Sequence, residues 1–429
     1  MLSYSVHGSL SGSVNAPVSK SDLHRLIIAC SLSGSDTEIC RCTLSEDIKA
    51  TARVMEAIGA SIHFEENRIL VEGIKLQPDT NVLCDCSESG STLRFLVPVL
   101  AALGQNATFT GHGRLAKRPM EPLLSELSAH GVEIHTPDNG DTLPLSISGK
   151  LVGGDFTFSG DISSQYITGL MFALPLLAQD SRIILTSPLQ SKGYVDMTLS
   201  VLERFGIKIT PIQNGWEIAG KQRYRTPGIL TAQGDWSNAA FWLCAGSICQ
   251  GANIMVNGID YHHSLQGDKA VCDVLTQMGT NLSIGSEQVE SKHAPLHAVT
   301  IDGSQIPDII PILSVVAAVS QGETHIVNAG RLRIKESDRL HAMYECLTQI
   351  GADVTELADG LIIRGKSQLS GGTVDSFNDH RIAMSMAVAS LVCKEPVIIR
   401  DPMCVTKSYP DFYEDFKALG GSVHVVDLG

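Results

Sequence analysis

Basic, acidic and hydroxyl residues recur in short clusters along an otherwise apolar chain. The first are Lys20-Ser21 with Arg25, Ser89-Gly90-Ser91-Thr92 with Arg94, Lys117-Arg118 and Ser163-Ser164-Gln165. Ser191-Lys192-Gly193-Tyr194, Pro307-Asp308, Asn378-Asp379-His380-Arg381 and Lys407 follow. Guanidinium and ammonium groups beside hydroxyls and a glycine suit a small anion bearing phosphate or carboxylate. Asp308 and Glu336 add carboxyls among them. The segment Arg331 to Arg339 is densest, with four basic and two acidic groups in nine residues. By composition alone it could equally be a solvated loop with surface ion pairs. Ser337-Asp338 also suits the start of the following helix.

Six polar entries, Lys20-Ser21, Ser89 to Thr92, Ser163 to Gln165, Asp235 to Asn238, Pro307-Asp308 and Asn378 to Arg381, fall at one phase of an internal repeat. A helix-like apolar segment, then Gly, then a short alternating strand recurs at Gly59, Gly131, Gly206, Gly279, Gly351 and Gly420. The spacings are 72, 75, 73, 72 and 69 residues. Each Gly marks a helix end where the chain turns left-handed. The residues after it read as a β-hairpin, as in Val132-Glu133-Ile134 followed by Asp138-Asn139-Gly140. A second helix in each repeat is apolar nearly all round and therefore buried. The six are expected at 21–33, 90–103, 164–178, 237–248, 308–320 and 380–392.

Each repeat thus reads as β-α-β-α-β-β, an α/β (α+β) chain of six units. No polar capping repeat closes either end, which counts against an open solenoid. Two domains of three repeats fit better, split between Thr226-Pro227-Gly228 and Gly234-Asp235. In a pseudo-symmetric domain, equal phase means one end of the molecule. The starts of the buried helices should point the same way, with N–H groups and dipoles favouring anions. Taken singly, Ser, Asp and Asn at helix starts are ordinary caps. Arg381 at a helix start, where the dipole disfavours cations, calls for an anionic partner. If two such domains face each other, their helix starts converge on one cleft.

Composition narrows the partners. Net charge is −14, with 32 Lys and Arg against 46 Asp and Glu, so no broad phosphate-tracking surface for nucleic acid is expected. Aromatic residues are only 5%, too few for obvious base-stacking platforms. Residues 162–179 are the longest apolar stretch of interest but carry Ser163, Ser164, Gln165 and Thr168, and read as a core helix rather than a membrane span. The beginning of the chain has no secretory pattern. Eleven Cys with no C-x-x-C fit unpaired thiols in a reducing compartment better than disulfides or zinc. The expectation is a cytoplasmic protein.

The ordered motifs resemble the EPSP synthase family over essentially the whole chain. They run from Ser19-Lys20-Ser21 with Arg25, through Ser89 to Arg94, Lys117-Arg118-Pro119-Met120, Ser163-Ser164-Gln165-Tyr166 and Ser191 to Tyr194. Gly234-Asp235, Pro307-Asp308, Arg333 to Arg339, Asn378 to Arg381 and Lys407 complete the set. Each is weak alone, while their order and spacing together are specific. The resemblance implies an enolpyruvyl-transferase-like inverse α/β barrel repeated in two domains of three βαβαββ units. It also implies boundaries of 1–18 plus 235–429 for one domain and 19–234 for the other, with the active site in the cleft between them.

The activity so implied is transfer of the enolpyruvyl group of phosphoenolpyruvate to the 5-hydroxyl of shikimate 3-phosphate, by an expected monomer with no metal or organic cofactor. Lys20, Ser21, Arg25, Ser163, Ser164, Gln165, Ser191, Tyr194, Asp308 and Lys335 match the shikimate-phosphate side. Lys20, Gly90, Arg118, Gln165, Arg339, His380, Arg381 and Lys407 match the phosphoenolpyruvate side. Asp308, Glu336 and Lys20 match proton-carrying positions, with Asp308 the base near the 5-hydroxyl. Glu88, Phe95, Lys117 and Arg331 stand where Asn, Pro, Glu and Asn are common in the family. Two other readings exist. A UDP-N-acetylglucosamine enolpyruvyl transferase would pair its early Lys with Asn and carry a Cys in its mobile loop. Here Ser21 follows Lys20, and residues 111–119 contain no Cys. A non-catalytic repeat scaffold would explain the repeats but not Lys335-Glu336 or His380-Arg381.

Overall fold

The computed structural model describes residues 2–75 and 81–427. Two compact units divide the chain. One comprises Met1–Pro17 with Gln233–Gly429, and the other Val18–Ala232. Each has its own apolar core, and each holds three four-stranded sheets.

One sheet shows how a repeat folds. Strands Val82–Asp85 and Ala107–Thr110 run parallel, joined through helix Gly90–Ala102. The hairpin of Val132–His135 and Leu145–Gly149 then adds antiparallel to Ala107–Thr110. Two other repeats, Asp155–Ile218 and Thr300–Arg364, use the same order. The remaining sheets borrow a strand from a distant part of the chain. Ile229–Thr231 pairs with Thr37–Cys40, Gly12–Asn15 with Asn253–Asn257, and Leu2–Gly8 inserts between Val397–Arg400 and Gly421–Asp427. The first two are parallel pairings made through backbone groups, and no side-chain pattern in a four-residue strand specifies a partner some 200 residues away.

The repeat glycines all adopt left-handed backbone, with φ between +77° at Gly206 and +109° at Gly420. A side chain there would be strained.

The buried helices are Lys20–Leu32, Gly90–Ala102, Ser164–Ala173, Trp236–Ile248, Ile310–Ala318 and His380–Ala389. Every residue of Trp236–Ile248 and of Ile310–Ala318 is buried, as the all-round apolar pattern requires. Three differ from the expected bounds by two residues or more, and proline explains two. Pro175 lacks an N–H and stops the third helix, leaving Leu174–Leu176 as a 3-10 turn. Pro311 sits in the first turn, where its missing N–H costs no helical hydrogen bond, and the fifth helix starts at Ile310 with Asp308 outside it. The sixth closes through a 3-10 turn at Ser390–Val392.

Helices Gly90–Ala102 and Ser164–Ala173 pack unusually closely. A Cβ at Gly169 would lie 2.4 Å from the Arg94 carbonyl oxygen. Pro98, four residues after Arg94, cannot donate the helical hydrogen bond to that carbonyl. Small size at position 169 and the missing donor at 98 let the two helices close, which sets Arg94 beside Gln165.

Candidate functional site

In the unit formed by residues 18–232, the helix starts gather most of the expected residues. Ser19 caps Lys20–Leu32 by accepting from the Asp22 N–H, and Ser89 and Ser163 cap their helices likewise through the Thr92 and Gln165 N–H groups. A cap of this kind contributes about 1 kcal/mol. Lys20 Nζ stands 2.8 Å from Asp47 Oδ2, with both side chains largely buried.

Arg25 is 2% exposed. Its Nε donates to Thr198 Oγ1 at 2.9 Å and one terminal nitrogen to the Tyr194 carbonyl at 2.9 Å. The guanidinium also lies over the rings of Phe95 and Tyr194. Burial pulls its pKa down to about 10. Arg25 therefore fixes the start of helix Lys192–Arg204, where Ser191 takes a left-handed conformation with φ 54°. Gln165 links two neighbours. Its Oε1 accepts from Arg94 at 2.7 Å and its Nε2 donates to Ser91 Oγ at 2.9 Å. Arg118 lies against Gly90 so closely that a Cβ there would come within 2.6 Å of a guanidinium nitrogen.

A buried hydrogen-bond chain runs behind these groups. Thr92 Oγ1 donates to Ser89 Oγ, Thr51 lies 2.7 Å from Thr92, and His24 Nδ1 lies 2.7 Å from Thr51. Each hydroxyl has one proton, so Thr51 donates to Thr92 and His24 Nδ1 donates to Thr51. His24 Nε2 is then the unprotonated nitrogen, and it has no hydrogen-bond partner among the described residues. Burial, with Lys20 and Arg25 nearby, holds the His24 pKa well below its ordinary value.

The other unit organises its charges around Arg339, which is 1% exposed. Arg339 Nε donates to Asp379 Oδ2 at 2.8 Å, while its terminal nitrogens reach Asp308 Oδ1 at 2.7 Å and Glu336 Oε2 at 2.8 Å. Lys335 Nζ lies 3.4 Å from the same Asp308 oxygen, and burial lowers its pKa despite that carboxylate. Asp308 does not cap a helix. Ile309 occupies that position, and the carboxylate faces two cations instead.

Asp379 caps His380–Ala389 by accepting from the Arg381 N–H, and it also receives the Ser337 hydroxyl at 3.0 Å. The buried Arg381 guanidinium reaches Asn238 Oδ1 at 3.4 Å and lies over the Phe241 ring. His380 is buried beside Asp379. Lys407 Nζ donates to the carbonyl and side-chain oxygens of Asn378, each at 2.7 Å.

Within the first unit, then, the structure gathers Lys20, Ser21 and Arg25, Ser163 to Gln165 with Gly90 and Arg118, and Ser191 with Tyr194. Within the second it gathers Asp308, Lys335, Glu336 and Arg339, and His380, Arg381 and Lys407. The sequence reading did not single out Asp47, His24, Thr51, Thr198 or Asp268. Polar residues among the apolar positions of buried helices would have marked His24, whereas the others gain meaning only from contacts far apart in sequence.

Among the described residues no group of His, Cys, Asp and Glu could hold a metal ion, and no helix is long and apolar enough to cross a membrane. The eleven cysteines form no disulfide, and burial pushes the Cys30, Cys84, Cys272 and Cys404 thiols up to about 12.

Comparison with known proteins gives a consistent answer. A 3-phosphoshikimate 1-carboxyvinyltransferase of Clostridium novyi is 46% identical over 432 residues, covering 98% of both chains. One from Clostridium perfringens is 48% identical over 417 residues, covering 96% of each. A crystal structure of EPSP synthase from Acinetobacter baumannii superposes with a TM-score of 0.82 at 26% identity, covering both chains fully. The enolpyruvyl transferase NikO of Streptomyces tendae, at 19% identity and a TM-score of 0.81, shares the fold. The family profile described as EPSP synthase (3-phosphoshikimate 1-carboxyvinyltransferase) matches residues 5–416, and the chain belongs to that family.

Proposed function

We propose that this protein transfers the enolpyruvyl group of phosphoenolpyruvate to the 5-hydroxyl of shikimate 3-phosphate, releasing phosphate. The observation that carries the chemistry is Asp308. Its carboxylate is outside the helix and held between Lys335 and Arg339, aimed by charge and without a capping role.

In this reading Asp308 accepts the proton of the 5-hydroxyl as that oxygen attacks C2 of the donor. Lys335, its pKa lowered by burial, holds the hydroxyl oxygen. Lys20 and Glu336 are the candidates for delivering a proton to the methylene carbon. Addition gives a tetrahedral ketal. Loss of a proton from the methyl carbon and of phosphate from C2 restores the double bond. Two proton carriers in opposite roles are the minimum for this sequence.

Ser21, Arg25, Ser163, Ser164, Gln165, Ser191 and Tyr194 are assigned to shikimate 3-phosphate. Lys20, Gly90, Arg118, Gln165, Arg339, His380, Arg381 and Lys407 are assigned to phosphoenolpyruvate. Guanidinium forks suit its phosphate and carboxylate, and an unsubstituted Gly90 keeps Arg118 in place. The protein is proposed to act as a monomer, with both small anions as its partners. The test is phosphate release with each substrate alone and with both. Release only with both is expected. Release when UDP-N-acetylglucosamine replaces shikimate 3-phosphate would overturn the assignment.

A further inference from the structure

Helix Glu46–Ala57 supplies none of the residues assigned to either substrate, yet it joins two helices whose starts do. One joint is to helix Lys20–Leu32. Asp47 Oδ2 lies 2.8 Å from Lys20 Nζ. One turn further along both helices, Thr51 Oγ1 lies 2.7 Å from His24 Nδ1. Two such rungs fix the helices against sliding as well as rotation, because residues four apart share a face. The other joint is to helix Gly90–Ala102, where the same Thr51 oxygen lies 2.7 Å from Thr92 Oγ1. Thr92 gives both its N–H and its hydroxyl proton to Ser89 Oγ, the cap immediately before Gly90. Thr51, Thr92 and Ser89 are fully buried, and His24 nearly so.

We propose that Thr51 is a positioning residue for the enolpyruvyl transfer. Its hydroxyl holds the start of helix Gly90–Ala102, against which Arg118 lies, in register with Lys20. The proposal rests on the functional reading given above.

Apolar packing is non-directional and by itself leaves the register of two buried helices loosely defined. Hydrogen bonds are directional, and a fully satisfied buried chain of them selects one arrangement. In this chain the protons run from His24 to Thr51, to Thr92, to Ser89. Thr51 therefore spends its one proton on Thr92 and a lone pair on His24. A β-branched side chain is stiff at χ1, so the oxygen cannot swing to follow a displaced partner. His24 is held on a second side by Phe95 of the Gly90 helix, edge-on with ring centroids 6.3 Å apart.

The shikimate-phosphate side has separate anchors. Arg25 is tied to helix Lys192–Arg204 through Thr198 Oγ1 and the Tyr194 carbonyl, each at 2.9 Å. Loss of the Thr51 hydroxyl should thus disturb the groups assigned to phosphoenolpyruvate and spare those around Arg25.

Thr51→Val keeps the shape and puts a methyl where the hydroxyl was. A carbon meets a polar atom at about 3.3–3.6 Å, so it would push His24 and Thr92 outward by roughly 0.6–0.9 Å from their present 2.7 Å. A misplacement of about 1 Å in a reacting site can cost about 10²-fold in rate.

The experiment measures phosphate release and thermal melting for the parent protein, Thr51→Val and Thr51→Ser. Thr51→Val is expected to lower kcat/KM for phosphoenolpyruvate by about 10- to 10²-fold, while the KM for shikimate 3-phosphate holds. Thr51→Ser keeps the hydroxyl and loses a buried methyl, so it should melt below the parent yet keep the parental kcat/KM. Thr51→Val with a lowered melting point and parental kinetics would make the hydroxyl a core hydrogen bond alone and overturn the proposal. Equal losses for both substrates, or a Thr51→Ser protein as impaired as Thr51→Val, would overturn it too. If Thr51→Val fails to fold, Thr51→Ala decides, since it deletes the same two bonds without pressing a methyl against their partners. Its expected result is the same selective loss toward phosphoenolpyruvate, and parental kinetics would overturn the proposal. No phosphate release from the parent protein would refute the functional reading and this proposal with it.

Discussion

Replacing Arg339 by Met should damage the fold of its unit before it damages anything specific to the donor. The side chain is 1% exposed and serves three carboxylates whose own exposures are 0% for Asp379, 17% for Asp308 and 21% for Glu336. Asp308 and Glu336 can partly recover water when the cation is removed. Asp379 cannot. Among the described residues it would keep the Ser337 hydroxyl and the Arg381 N–H as hydrogen-bond donors, with His380 beside it. Removing one partner of a buried ion pair costs about 3–5 kcal/mol, because the other charge stays buried. For a unit of roughly 200 residues, at about 2–4 °C per kcal/mol, that is a fall in Tm of about 6–20 °C. Trp236 and Trp242 are fully buried in this unit, so tryptophan fluorescence in urea reports its unfolding. Asp379→Asn added to Arg339→Met removes the stranded charge and should recover part of the loss. A single-variant loss below about 1 kcal/mol, the scale of an exposed pair, would refute the reasoning. So would a double variant no more stable than the single one.

Asp308→Asn leaves helix Ile310–Ala318 with its own start intact, so turnover should fall about 10²-fold or more with little change in melting; near-parental phosphate release would remove Asp308 as the base. Gly90→Ala places a methyl 2.6 Å from an Arg118 guanidinium nitrogen. The KM for phosphoenolpyruvate should rise while that for shikimate 3-phosphate holds, and equal changes in both would contradict the placement of Arg118. His24 is a base whose folded pKa is depressed, so the unfolded chain takes the proton first. Stability should be full above the ordinary histidine value of 6.5 and fall as pH drops below it, by up to about 1.4 kcal/mol per pH unit. His24→Asn should flatten that slope in urea titrations, and parallel curves for the two proteins would count against it.

The sequence alone settled what depends on local period and backbone. Six glycines at near-constant spacing marked six left-handed helix ends, because only glycine takes that conformation without strain. Apolar runs without a polar face marked the buried helices, since such a surface has nowhere else to go. Serines and aspartates before those runs marked the caps, and the ordered motifs carried the family. The start of the fifth helix, expected at 308, falls at Ile310 with Pro311 in its first turn. Tertiary structure decided the rest. Three sheets are completed by strands from distant parts of the chain, through backbone pairing that such short segments do not encode. Arg339 reads from sequence as a ligand for the donor, yet its guanidinium is shared among Asp308, Glu336 and Asp379. Asp268 reads as one more turn residue until burial and Ser237 are known. In each case the deciding quantity is which charges lie within a few ångströms in a medium that screens them poorly, and only the folded chain fixes that.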